Sequence, residues 1–309
     1  MTSNIHVRPY HAEDEQHLVA LWNVSMWADP IDLLAWRSRF LLDPNFDPAS
    51  CLIATVDNVP QGFLFGMRQK KDPGTIAWIV GFGVSPSHRR QGIGRLLFEA
   101  LESAWGSLGI DTVSIGPYIP SYVTPGVDEA AYPEAIAFLE AIGATTLDRP
   151  LSMKTSLTGY RAAPRAIETT ERLASEGVTI RPAQPTDILP LLAFLEEHFP
   201  HWRGDATGVM AELFGADPHE VTLHIAEENG VIVGYAQSRG ERFGPFGVNE
   251  SCRGRGIGAA LLARVLPAMR ARGFHSAWFL WTSDRAARLY REHGFEEVRR
   301  FALMEKRLT

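Results

Sequence analysis

Short runs of aliphatic, aromatic and β-branched residues recur along the 309-residue chain, separated by polar turns that often contain glycine. Two of these runs end in Phe-Gly-Val, at positions 82–84 and 246–248. Each is followed by a polar turn, a loop of the form Arg-x-x-Gly-x-Gly, and a segment with leucines at helical spacing. This order of patterns predicts a strand, a loop and a helix at both places.

The two places are copies of one 16-residue block, FGVSPSHRRQGIGRLL at 82–97 and FGVNESCRGRGIGAAL at 246–261. Nine of the sixteen positions are identical, and the offset is a constant 164 residues. Further pairs are IHVRP at 5–9 with VTIRP at 178–182, IATVDNVPQGF at 53–63 with IAEENGVIVGY at 225–235, AIAFLEAIGA at 135–144 with AARLYREHGF at 286–295, and 153–157 with 304–308. The chain is therefore an internal duplication of one domain.

The duplicated loops suit a pyrophosphate. Their glycines carry no side chain, so backbone N–H groups at the start of the helix can approach an anion, and neighbouring arginines add positive charge. The residues concerned are Gly92, Gly94, Gly256 and Gly258, with Arg89, Arg90, Arg253 and Arg255. Neither copy has the Lys-Ser/Thr ending of a P-loop or a small residue at the third glycine position of the dinucleotide fingerprint. ATP and NAD are therefore disfavoured as ligands.

With these residues the chain resembles the GNAT superfamily of acyltransferases, whose best-known motif is an Arg/Gln-x-x-Gly-x-Gly/Ala loop after a strand. The resemblance covers nearly the whole chain as two domains and implies acetyl-CoA as co-substrate, with no metal. It implies that the loops bind the pyrophosphate and that the Phe-Gly-Val strands hold the pantetheine arm. The implied binding residues are Phe82, Val84, Arg89, Arg90, Gln91, Gly92, Ile93 and Gly94 in the first copy, and Phe246, Val248, Arg253, Gly254, Arg255, Gly256, Ile257 and Gly258 in the second.

The resemblance also implies the reaction, in which a deprotonated primary amine attacks the thioester directly and a backbone N–H of the strand stabilises the oxyanion. A tyrosine on the last helix often protonates the leaving thiolate in this family, because its pKa of about 10 lies near that of an alkyl thiol. Tyr290 matches that position, whereas the first copy has Leu139. The second copy is therefore predicted to be the catalytic one. Glu241, where the strand before Phe246 is expected to begin, is the candidate general base, and Glu250 just beyond Val248 and a chain of water molecules are the alternatives.

Other interpretations stay open at this stage. Tyr290 is also explained as a packing residue of an amphipathic helix. The protein could be a CoA-binding sensor or scaffold that transfers no acyl group. The first copy could instead be the active one, through water or through Tyr122 or Tyr132 of an insertion.

The acceptor is expected to be a small-molecule amine, and the segment EEHFPHWRGD at 196–205 is a candidate for binding it. Phe199 and Trp202 in this segment are also explained as buried anchors. A tandem arrangement with one weakened copy is similar to that of mycothiol synthases, but a shared architecture does not define the substrate.

The predicted fold class is α/β (mixed α+β), with two tandem GNAT domains. Each is expected to have a mixed, largely antiparallel sheet flanked by helices, with a splay between the two central strands. The predicted boundaries are 1–157 for the first domain, 158–177 for a linker and 178–309 for the second domain, sizes that suit two separate cores. A change of offset places an insertion at 116–133, which is expected either to wall the first substrate cleft or to pack against the neighbouring domain.

Charge and composition narrow the choice of partners. A formal net charge of −6 offers no support for nucleic-acid binding. No apolar stretch approaches the ~18 residues of a membrane helix and no basic, apolar leader opens the chain, so we expect a cytoplasmic protein with no membrane partner. Cys51 and Cys252 form neither a CxxC pair nor a metal set with the histidines. The sequence leaves the oligomeric state open.

Overall fold

The computed structural model describes residues 4–71, 74–119, 122–215 and 218–308, which form two compact units. Unit 1 contains the described residues up to Pro150 together with those from Arg299 onward, and unit 2 is Leu151–Val298. Positions 120 and 121 of the predicted insertion lie outside the described residues.

The helices and strands follow in chain order. Up to Pro150 they are β1 (Ile5–Pro9), α1 (Glu15–Ser25), α2 (Leu33–Trp36), β2 (Cys51–Val56), β3 (Val59–Lys70), β4 (Thr75–Val84), α3 (Ile93–Gly106), β5 (Thr112–Ile115), β6 (Val127–Asp128), α4 (Pro133–Ala141) and β7 (Thr145–Asp148). Unit 2 contains β8 (Leu151–Ser156), α5 (Pro164–Ser175), β9 (Val178–Pro182), α6 (Ile188–His198), α7 (Arg203–Leu213), β10 (Val221–Glu228), β11 (Val231–Arg239), β12 (Arg242–Val248), α8 (Ile257–Ala271), β13 (Ser276–Thr282) and α9 (Asp284–Glu292). The last strand is β14 (Glu296–Arg307).

Each unit is built on a mixed, largely antiparallel sheet. The strand order is β1-β2-β3-β4-β5-β14 in unit 1, where β6 and β7 also pair with β14, and β8-β13-β12-β11-β10-β9 in unit 2. The central pairs are parallel and short: β4 meets β5 at Trp78↔Ser114 and Ile79↔Ile115, and β12 meets β13 at Arg242↔Trp278. Beyond these residues the strands separate. The predicted fold class, including the splay, is confirmed.

The compact units differ from the predicted domains at the last strand of each repeat. β8 lies in the first sequence copy but pairs with β13 in unit 2. β14 lies in the second copy but pairs with β5 in unit 1, from Met304↔Ile115 to Arg307↔Thr112. The repeats thus exchange their last strands, and the boundaries 1–157 and 178–309 do not coincide with the units. The predicted linker, 158–177, contains α5 and belongs to unit 2.

The helix after each duplicated loop covers one face of its sheet. α3 buries Ile93, Leu97, Phe98, Leu101 and Trp105, which recur at the spacing of one helix face. α8 does the same in unit 2 from Ile257 to Met269. The side chains of Ile93 and Ile257 are each only 1% exposed, so these two predicted binding residues are core residues that can offer a ligand only their backbone.

His224 on β10 gives unit 2 a measurable pH dependence. Burial, together with Arg264 and Arg272, lowers the pKa of its imidazole to about 4. The unfolded chain binds this proton near pH 6.5 and the folded chain does not, so stability is full above about 6.5 and falls as the pH drops towards about 4. We expect this one group to remove about 3 kcal/mol over that interval. Urea unfolding of the intact protein and of His224→Gln at several pH values measures the difference, and parallel curves would contradict it.

Candidate active site

The open edges of β4 and β12 carry backbone groups that face the splay. Ser85 N donates to Gln61 O at 2.8 Å on the β3 side, and Asn249 N donates to Val233 O at 2.9 Å on the β11 side. The N–H and C=O groups of successive residues point to opposite sides of a strand. The residues one and three positions before Ser85, and those one and three positions before Asn249, therefore turn these groups to the open side. These residues are the predicted binding residues Phe82, Val84, Phe246 and Val248.

The two glycine loops have the same conformation. Gly92 and Gly256, the residues before α3 and α8, have φ of 85° and 93°, and the residues two positions earlier, Arg90 and Gly254, have φ of 63° and 80°. Arg89 Nε donates to Val84 O and Arg253 Nε donates to Val248 O, each at 3.3 Å. Both loops therefore present the free N–H groups of a long helix beside an arginine, as an anion site requires.

The first loop opens into a cavity of about 1120 Å³. The cavity joins this loop to the open edge of β4, the end of α1, the predicted insertion and the start of α4. Seven predicted binding residues line it: Phe82, Val84, Arg89, Arg90, Gly92, Ile93 and Gly94. Gln91 is not among the lining residues, and its side chain donates to Ser87 O at 3.3 Å. A Cβ atom placed on Gly92 would meet nothing within 4 Å, so the loop is accessible.

The second loop is covered by α5 of its own unit. A Cβ atom on Gly256 would lie 2.5 Å from Thr169 Cγ2, and Arg172 Nη2 donates to Arg255 O at 2.6 Å. The Arg255 guanidinium is held by Glu228, with bonds of 2.8 and 3.0 Å. The hydrogen bonds from Arg255 lower the pKa of the Glu228 carboxyl. The loop that the sequence assigns to acetyl-CoA in unit 2 thus has Arg255 paired with a carboxylate and Gly256 in contact with a helix.

This contact is expected to separate two otherwise matched substitutions. Gly92→Ala and Gly256→Ala both place a side chain at a left-handed φ, but only the second forces a Cβ atom against Thr169, a stiff β-branched residue. We expect Gly256→Ala to lower the free energy of unfolding by about 1–3 kcal/mol more than Gly92→Ala. Adding Thr169→Ala to Gly256→Ala should remove most of the difference. Denaturant unfolding checks this, and equal losses for the two glycines would show that α5 does not press on the loop.

The corresponding end of β12 in unit 2 packs against aromatic residues. A Cβ atom on Gly247 would lie 2.6 Å from Phe199, and the Phe199 ring stacks on Trp202 with centroids 4.9 Å apart. In unit 1 a Cβ atom on the equivalent Gly83 would also be close to its neighbours, at 2.6 Å from Ser25 and 2.9 Å from Phe63, so the units differ in having a serine or a phenylalanine at the end of this helix segment. The aromatic residues of 196–205 are therefore packing anchors, which agrees with the second interpretation of that segment.

Tyr290 lies in a packed aromatic cluster of unit 2. Its ring is within 4.5–6.1 Å of four phenylalanine rings, those of Phe243, Phe246, Phe279 and Phe295, measured between centroids. The side chain is 8% exposed, and burial raises the pKa of its phenol. Leu139, its counterpart in unit 1, is fully buried. The geometry favours the packing interpretation of Tyr290 over the catalytic one.

Glu241 directly precedes β12, and its carboxylate bonds the start of β13. Its Oε1 accepts hydrogen bonds from His275 N at 3.0 Å and Ser276 N at 2.9 Å, and its other oxygen accepts from Ser276 Oγ. The hydrogen bond from Ser276 Oγ contributes most to lowering the pKa of the Glu241 carboxyl. Glu241 lies seven residues before Val248, about 20 Å along an extended strand. The position and the hydrogen bonds of Glu241 favour a structural role at the start of these strands over the role of general base.

A buried polar network that sequence analysis missed lies behind one wall of the unit 1 cavity, and Tyr132 is the member that lines the cavity. Arg299 on β14 donates to both oxygens of Asp29, at 2.6 and 2.9 Å, and to Asp128. Tyr132 donates to Asp29 at 2.9 Å and accepts from Ala28 N at 3.0 Å. The network joins the loop after α1 to the segment before α4, so the predicted insertion walls the cleft. No sequence signal linked Arg299 to this network, because Arg299 lies 270 residues from Asp29 and 171 residues from Asp128.

Known proteins resemble this chain in sequence and in fold. A sequence model described as the Acetyltransferase (GNAT) family matches residues 8–118 and 190–295, together more than half of the chain. A search of curated proteins found no match. Across the described ranges, no helix has the length and apolar character needed to span a bilayer, and no His, Cys, Asp and Glu side chains cluster as metal ligands.

Solved structures share the fold along the whole chain. One is the GCN5-related glucosamine N-acetyltransferase region of a fungal multi-domain GH3 β-N-acetylglucosaminidase, with TM-score 0.80 and 21% identity over 99% of this chain and 38% of that one. Another is a GCN5-related N-acetyltransferase from Sphaerobacter thermophilus, with TM-score 0.66 and 20% identity over 98% of this chain and 96% of that one. A third is a tandem GNAT protein from the clavulanic acid biosynthesis pathway, with TM-score 0.63 and 18% identity over 99% of each chain. The chain spans only 38% of the fungal protein's length. At these identities the likeness concerns the fold.

Proposed function

Because the chain belongs to the Acetyltransferase (GNAT) family, and is an acyltransferase, we propose that it transfers the acetyl group of acetyl-CoA to a primary amine of a small molecule in the cleft of unit 1. The observation that carries the choice of cleft is the cavity of about 1120 Å³ that joins an accessible loop to the open edge of β4. The covered loop of unit 2 supports the same choice. This revises the sequence-based assignment of catalysis to the second copy.

The residues of unit 1 suit the parts of acetyl-CoA. The N–H groups at the start of α3 and the Arg89 guanidinium are suited to the pyrophosphate. The outward backbone groups of Phe82 and Val84 can hold the pantetheine amides as an added strand would be held. Acetyl-CoA supplies an acetyl group activated as a thioester, and a backbone N–H at this edge can stabilise negative charge on the thioester oxygen.

Tyr132 is proposed as a positioning residue rather than as the acid. Burial and the neighbouring Asp29 carboxylate raise the pKa of its phenol, which makes the phenol a weaker proton donor. Its proton is already donated to Asp29, and its oxygen accepts from Ala28 N. The hydroxyl therefore fixes the loop after α1 against the start of α4, where the amine must approach the thioester.

Thiol release from acetyl-CoA, measured with a panel of primary amines, tests the proposed activity. The region of the fungal protein that aligns with this chain is named a glucosamine N-acetyltransferase, so glucosamine is the first acceptor to try. A diamine and an arylalkylamine complete the panel, and mass spectrometry identifies the N-acetylated product. Binding of acetyl-CoA with no amine-dependent thiol release would instead support a sensor or scaffold.

A further inference from the structure

We propose that the end of the unit 1 cavity between Trp27 and Tyr132 is the acceptor subsite, and that it takes an amine carried on an uncharged, hydroxylated ring such as an amino sugar. This inference rests on the proposed function and names the substrate class of the same cleft. Trp27 supplies the surface against which the ring packs, and Ser25 supplies a hydrogen-bonding group.

Charge is distributed unequally along the cavity. The ionic side chains that line it belong to the glycine loop and the helix starts beside it, namely Arg89, Arg90, Arg95 and Glu134. Among the described lining residues at the other end, from Ser25 to Trp27 and from Thr124 to Tyr132, none carries a charge. The carboxylates of Asp29 and Asp128 lie behind this wall, are both bonded by Arg299 and do not line the cavity. The lining of the subsite therefore presents no charged side chain that could contact a second ammonium group or a carboxylate on the acceptor.

Trp27 is a large apolar side chain left exposed at this end. It is 64% exposed and lines the cavity, and its ring meets Tyr132 edge to face with centroids 6.3 Å apart. The loop that carries it is fixed: Trp22 Nε1 donates to Asp29 O at 2.9 Å, and the Asn23 side chain bonds both N and O of Ile31 at 2.8 and 2.9 Å. An indole on a fixed loop at a cavity wall can pack against the apolar face of a ring without rearrangement of the backbone.

Ser25 adds a polar group that lacks a partner. Ser25 is 6% exposed and borders the cavity, and its Oγ has no hydrogen-bond partner within the described part of the chain. Its Cβ lies against Gly83 of β4, between the outward-facing residues Phe82 and Val84. A buried hydroxyl without a partner is unfavourable, so a bound hydroxyl or amine that bonds it is favoured over an apolar group. This distinguishes a hydroxylated ring from an arylalkylamine.

Steady-state kinetics with glucosamine, 2-phenylethylamine and putrescine test the subsite. We expect glucosamine to have the highest kcat/KM, and Trp27→Ala to raise its KM about tenfold while kcat stays within about threefold. Trp27→Phe should recover part of the loss, and Ser25→Ala should raise KM for glucosamine more than for 2-phenylethylamine. Leu34→Ala, which truncates a residue 74% exposed on α2, is the control and should change nothing.

Calorimetric binding of acetyl-CoA keeps the two levels of inference apart. Trp27→Ala should bind acetyl-CoA as the unaltered protein does, so a KM effect with intact binding supports the subsite. An unchanged KM for the amine in Trp27→Ala, or a preference for putrescine, would overturn the subsite and leave the proposed acetyltransfer standing. Absence of acetyl-CoA binding in the unaltered protein would overturn the proposed function itself.

Discussion

Replacing Arg89 with glutamate is expected to lower kcat/KM for acetyl-CoA by at least about a hundredfold, because it reverses the charge beside the accessible helix start of α3. The same change at Arg253 is expected to alter kcat/KM for acetyl-CoA by no more than about twofold. The two arginines are closely matched: each bonds the end of its strand at 3.3 Å, and each has a carboxylate neighbour, Glu134 at 3.5 Å or Glu250 at 3.3 Å.

The matched pair makes the comparison independent of net charge and of surface effects. Thiol-release assays at varied acetyl-CoA concentration provide the rate constants, and circular dichroism checks that both variants are folded. Losses of similar size in the two variants would mean that both loops take part in turnover. A larger loss for Arg253→Glu would return catalysis to unit 2, where sequence analysis first assigned it.

Replacing Arg299 with methionine is expected to lower the free energy of unfolding by about 3–5 kcal/mol, because it leaves two carboxylates buried without their cation. Asp29 and Asp128 are 7% and 3% exposed, and the guanidinium lies 4.8 Å from the Phe301 ring. Adding Asp29→Asn and Asp128→Asn should recover at least half of the loss, since no buried charge then remains. Urea unfolding measures all three proteins.

An exposed arginine provides the control for this substitution. Arg161→Met, at a residue exposed to solvent, should change the free energy of unfolding by no more than about 0.5 kcal/mol. If Arg299→Met cost no more than Arg161→Met, the network would not hold the cavity wall. Arg299 follows all of unit 2 in the chain, so unit 1 obtains the cation of this network from the last strand, β14.

The duplicated block was sufficient to predict both glycine loops and the strand before each of them, whereas the splay was expected from the resemblance to the family. Local rules decide these features: the glycines take left-handed φ at 92 and 256, and an apolar strand precedes each loop. The exchange of last strands could not be predicted, because β8 and the end of β14 are repeat equivalents. Either strand satisfies the same pattern of apolar residues, so the pattern does not reveal which unit receives it.

The difference between the two clefts lay outside the repeat pattern altogether. Thr169 and Arg172 come from a segment with no counterpart in the first copy, and its composition resembled that of a connector. Tyr290 matched the family position for an acid, but Phe243 and Phe246, which pack against its ring, come from β12 and meet it only on folding. Contacts over long sequence distances therefore decided which of two similar loops stays accessible.

Calorimetric titration of acetyl-CoA into the intact protein, and into Arg89→Glu and Arg253→Glu, tests the central claim most directly. The account predicts one molecule bound per chain, with binding lost in Arg89→Glu and retained in Arg253→Glu. Two molecules per chain, or binding lost only in Arg253→Glu, would contradict it.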